Sequence, residues 1–151
     1  MAISRGAGTE IIRSVLLEDV ADAHGVLIYG EQHHIYTVLS ITVYAVALAS
    51  AGNQAMSYVF GYDAKGSDTG SVINIFKQSM QVDQTFVWND KFSFNGHEPT
   101  DFSAGAGADS IAKQNAIADQ GSSTHQELRI VGTGGADRFD CTCTYIDQNN
   151  A

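Results

Sequence analysis

The sequence predicts an all-β chain, an antiparallel two-sheet β-sandwich of jelly-roll-like topology with about eight strands and at most one short helix. Three observations carry this. Apolar and polar residues alternate with period two in one segment after another. Clusters of Gly, Asn, Asp and Ser punctuate those segments. Only SIAKQNAIADQ, residues 110 to 120, has a helical look, and a short helix or ordered loop is expected there.

GTEIIRSVLLEDV and GVLIYGEQ give the first two strands. In residues 35 to 47 the odd positions Ile35, Thr37, Leu39, Ile41, Val43, Ala45 and Ala47 form the face expected in the core, with Tyr36, Ser40, Thr42 and Tyr44 opposite. After the turn Ser50-Ala51-Gly52-Asn53, the segment AMSYVFGYD puts Met56, Tyr58, Phe60 and Tyr62 on one face. The polar loop AKGSDTG ends it, and VINIFKQSMQV follows. TFVWNDKFSF then alternates through Phe86, Trp88, Phe92 and Phe94, but Asn89-Asp90 interrupts the aromatic face. A core-facing acid without a partner costs several kcal/mol, so a bend or bulge is expected there in preference to a catalytic Asp90. HQELRIVGT and DRFDCTCTYID complete the set around Gly134-Gly135-Ala136. The expected core is Leu39, Ile41, Val43, Phe60, Phe86, Trp88, Phe92, Phe94, Phe139 and Tyr145.

A chain of 151 residues suits one domain, here residues 11–151, preceded by an arm of small residues at 1–10. The formal charge of -9, with the few basic residues dispersed, argues against direct nucleic-acid binding. Cys141 and Cys143 point the same way from one strand, a spacing that does not favour a disulfide, and read as small buried apolar groups. The N-terminus lacks the apolar core of a signal peptide. The stretch IYTVLSITVYAVAL is too short and too β-branched for a membrane helix, so a soluble, unexported product is expected.

No run of residues announces a chemistry. His33 and His34, adjacent on an extended chain, would point to opposite faces and could not clamp one ion together, even with His24 nearby. His97 beside Glu98 and Asp101 suggests a hydrogen-bonded turn or an acidic loop leaning toward calcium, without EF-hand spacing. No GxSxG elbow is present, and GAGADS and QGSST do not follow a strand into a helix as a phosphate cradle must. No catalytic residue, metal site or cofactor is therefore assigned, and an enzyme is not expected. Tyr29, Tyr36, Tyr44 and Tyr58 could line a sugar-binding face, although tyrosine is also common on half-buried sheets.

Taken together, RGAGTEIIRS, HHIYTVLSITVY, TFVWNDKFSFNGHEPTDF and FDCTCTYIDQN resemble small β-sandwich structural proteins of tailed-bacteriophage virions. The resemblance implies a capsid decoration or cement subunit, assembled in the host cytoplasm and located on the virion. Its partners would be the major capsid protein and copies of itself in a homotrimer. Partner-binding residues are expected in the arm and first strand, at Arg5, Glu10 and Arg13, and in the long loop, at His97, Glu98, Asp101 and Phe102. A tail or head-to-tail connector subunit and a carbohydrate-binding module are the alternatives, so a glycan partner stays open.

Overall fold

The computed structural model describes residues 6, 8–62, 71–97, 110–112, 114–115 and 125–150. Among them nine strands form: β1 (Glu10–Val20), β2 (Gly25–Tyr29), β3 (His34–Ala47), β4 (Gln54–Tyr62), β5 (Ser71–Ser79), β6 (Thr85–Trp88), β7 (Phe92–Asn95), β8 (Glu127–Gly132) and β9 (Arg138–Asn149). One sheet runs β1-β9-β3-β6, with β7 also on β3, and the other runs β2-β8-β4-β5. Every pairing is antiparallel. With β6 and β7 taken as one interrupted strand, this is the eight-stranded jelly roll, in which most partners are far apart in sequence. The stretch weighed as a membrane helix is β3, the strand that joins β9 to β6 and β7. In the segment where a short helix was expected, Gln114 N–H donates to the Ser110 carbonyl in one helical turn.

The count of nine comes from Asn89-Asp90. Trp88 lies opposite Ile41 and Phe92 opposite Val38, so four steps on one strand match three on its partner. The extra residue breaks the ladder into β6 and β7, and Asp90 is exposed. This is the bend expected from the sequence, and it keeps Phe86, Trp88, Phe92 and Phe94 on the inner side.

A second irregularity reverses an expectation. Against β9, Val38 pairs with Tyr145 and Ser40 with Thr144, which leaves Leu39 as an inserted residue. Side chains alternate with period two, so one insertion exchanges the faces. Tyr36 and Val38 are buried on one side of it, Ile41, Val43 and Ala45 on the other, and Leu39 is only half-buried. The continuous odd-numbered face through Ile35, Thr37 and Leu39 is thus corrected. Leu27 and Ile28 are both buried for the same reason, a register shift between Val26 and Ile28.

Val38, Ile41, Val43, Leu128, Ile130, Phe139, Cys141 and Cys143 are fully buried between the sheets. Burial pushes both thiols up to about 12, which leaves them as inert apolar groups. In β4 the inner residues are the small Ala55, Ser57 and Val59, not the aromatic ones. Phe60, expected in the core, lies on the outer face with Met56 and Tyr58, because the facing sheet already fills the interior with Phe139 and the aromatic residues of β6 and β7.

Candidate functional site

Two features of the outer surface are suited to contact. The first is β1, eleven residues long and bonded only to β9, so its second edge is open among the described residues. Its outward side chains include Ile12, 70% exposed, and Leu16, 57% exposed. An open edge with apolar side chains is a template for another chain, and natural proteins ordinarily blunt it with charged side chains, proline or a bulge. No proline stands in β1. The second is a shallow groove of about 280 Å³ on the outside of the other sheet. Met56, Tyr58 and Phe60 of β4 form its floor between Val72 of β5 and Val131 of β8. Arg129 lies over the Phe60 ring, 3.8 Å from its centroid, and is held by Glu127 at 2.7 Å.

A third feature is internal and chemically richer. At one end of the sandwich Asp147 is 2% exposed on the inner face of β9. His34 Nδ1 lies 2.7 Å from its Oδ1, and Arg13 Nε–H donates to its Oδ2 at 3.1 Å. Nε2 of His34 lies 3.3 Å from Glu31 Oε2. A tight turn makes this possible: His34 N–H bonds the Glu31 carbonyl, with His33 in the left-handed region at φ 63°. Tyr36 reinforces the turn by accepting from the Glu31 N–H at 3.0 Å. Burial pushes the Tyr36 hydroxyl far above the ordinary tyrosine range, and burial likewise raises Tyr145 despite the nearby Arg13. Both remain neutral phenols. Glu31, His34 and Asp147 each bring one potential metal-ligating atom to within 4.8 Å of the others.

The backbone around this turn is fixed by glycine. Gly30 and Gly96 meet so closely that a Cβ on Gly96 would overlap the Glu31 carbonyl. Gly30 N–H bonds Gln126, Gln126 N–H bonds Gly96, and Gly96 N–H bonds His34. This chain of bonds ties the turn to the segment entering β8 and to the end of β7.

The expected contact residues divide. Glu10 is exposed at the start of β1, opposite Gln148. Arg13 is half-exposed but spends its Nε on Asp147. His97 is turned inward, its Nε2 3.1 Å from His125 Nδ1, which in turn lies 2.9 Å from the Gly30 carbonyl. Arg5, Glu98, Asp101 and Phe102 lie outside the described residues. The four tyrosines do not share a face. Tyr36 is buried and Tyr29 is exposed at the end of β2. Tyr44 bonds Asp83 outside β3, and Tyr58 lies in the groove of the opposite sheet. Sequence reasoning set aside His34 as a ligand by testing it against His33. Its actual neighbour, Asp147, is 113 residues away.

No protein-family model matches the sequence, and no curated protein sequence matches it. Among solved structures, a Bacillus endospore appendage protein from a family of disulfide-linked pili is 12% identical, with a TM-score of 0.44. That alignment covers 100% of this chain and 97% of the other. A protein of infectious bursal virus-derived T=1 particles is 7% identical, with a TM-score of 0.43, over 99% of this chain and 38% of that one. Scores this low leave function to the chain's own geometry. No helix among the described residues is long and apolar enough to cross a membrane.

Proposed function

We propose that this chain is a non-enzymatic structural subunit that works by protein–protein contact, and that within this class it is a decoration or cement subunit of a tailed-phage virion. The observation that carries the reading is the open edge of β1, with Ile12 and Leu16 in water. Covering such an edge removes apolar surface and satisfies backbone groups at once, which favours assembly over an isolated monomer. Val72 and Ile73 on the opposite sheet's edge strand, also exposed, offer a second contact. Both thiols are buried and held protonated, as suits packing rather than reaction. Jelly rolls build viral capsid and lectin domains alike, so the fold itself gives only an analogy.

The finer assignment follows the sequence resemblance. The partners are then the major capsid protein and further copies of this chain in a homotrimer, and the location is the virion. Mixing purified protein with expanded phage capsids tests it. The reading predicts saturable addition of many copies over the whole shell. Incorporation of a single ring at one vertex would favour the connector alternative, and no association would overturn the virion assignment.

A further inference from the structure

We propose that Glu31 and His34 form a binding site for a divalent transition-metal ion of the zinc class, with Asp147 as the residue that positions His34. The carboxylate of Asp147 is buried and lies 2.7 Å from Nδ1 of His34, a contact that holds the ring with Nε2 toward Glu31. Metal-ligating histidines characteristically give their other ring N–H to a carboxylate in this way. Nε2 and the Glu31 Oε2 face each other at 3.3 Å, and each can offer a lone pair to a shared ion. Bond lengths near 2.0–2.1 Å place nitrogen and oxygen ligands of one tetrahedral zinc about 3.4 Å apart. The observed gap meets that spacing.

The surroundings agree. Glu31 and Asp147 bring two carboxylates to the imidazole, and a divalent ion at Glu31 and His34 would be drawn by their charge. Glu31 has a side chain 67% exposed while His34 is 15% exposed, so an ion has an approach from water and room for water as remaining ligands. The left-handed backbone at His33 brings the two donors together in one turn, and strain of this kind gathers at sites that bind. An imidazole in the set favours zinc-class ions over magnesium or calcium, which prefer oxygen donors alone. The inference is independent of whether the chain assembles.

Isothermal titration of the full chain with zinc chloride, beside magnesium chloride, tests it. The expected result is saturable zinc binding with no comparable magnesium binding. Glu31→Gln, at a largely exposed side chain, should weaken zinc at least tenfold, whereas His24→Gln, at an exposed histidine elsewhere, should leave it unchanged. Absence of saturable zinc binding overturns the proposal. So does equal binding of magnesium, or zinc binding that Glu31→Gln leaves unchanged.

Discussion

Two buried aspartates stand near opposite ends of β9, and they are satisfied in opposite ways. Asp137, just before the strand, is fully buried and accepts from neutral donors fixed by the backbone: Ala49 N–H at 2.8 Å, Gly134 N–H at 2.8 Å and the Asn53 amide at 2.9 Å. Asp147, near the other end, is held by side chains that carry or exchange charge, Arg13 and His34. The first is a staple between the β3–β4 and β8–β9 connections. The second stands in a cluster that opens to solvent through Glu31. Burial alone does not separate a structural carboxylate from a reactive one; the nature of its donors does.

Mutation should expose the difference. Asp137→Ala removes the shared acceptor of three part-buried donors and cuts the tie between two connections, and should cost about 2–4 kcal/mol in urea denaturation. Asp147→Ala should cost less, about 1–2 kcal/mol, because Arg13 is 47% exposed and can be rehydrated. Equal losses would break the comparison.

A smaller effect sharpens it. Burial by itself would raise the Asp137 carboxyl, but donation from Ala49, Asn53 and Gly134 outweighs this and holds it below the usual carboxylate range. A depressed folded value means that the stabilisation is complete above the unfolded value of about 3.9 and is lost as pH falls through the folded one. Asp137→Asn should therefore lose stability at neutral pH yet show a flatter decline in acid than the wild type. Parallel acid profiles would remove the staple's electrostatic role.

Much of the fold was legible, because strands half-buried in a sandwich write their burial as alternation. The break at Asn89-Asp90 could be read since two turn-forming residues replaced an aromatic position. The bulge at Leu39 could not, because Leu39 is as apolar as its neighbours and nothing local marks an insertion. Phe60 misled for a related reason: an aromatic residue announces burial, yet in β4 it covers the outside of the sheet under Arg129. The cluster around Asp147 was invisible because its members come from β1, the β2–β3 turn, the start of β3 and β9, and only the sheet topology brings them together. Arg13 was picked for its place near the arm, and its tie to Asp147 had no local signature.

Sedimentation velocity of the wild-type chain beside the double variant Ile12→Lys/Leu16→Lys probes the proposed assembly most directly. The wild type should sediment as an oligomer, and the variant, with like charges along the open edge of β1, as a folded monomer. A wild type that stays monomeric at every concentration, or a variant that assembles equally well, would contradict assembly through this edge.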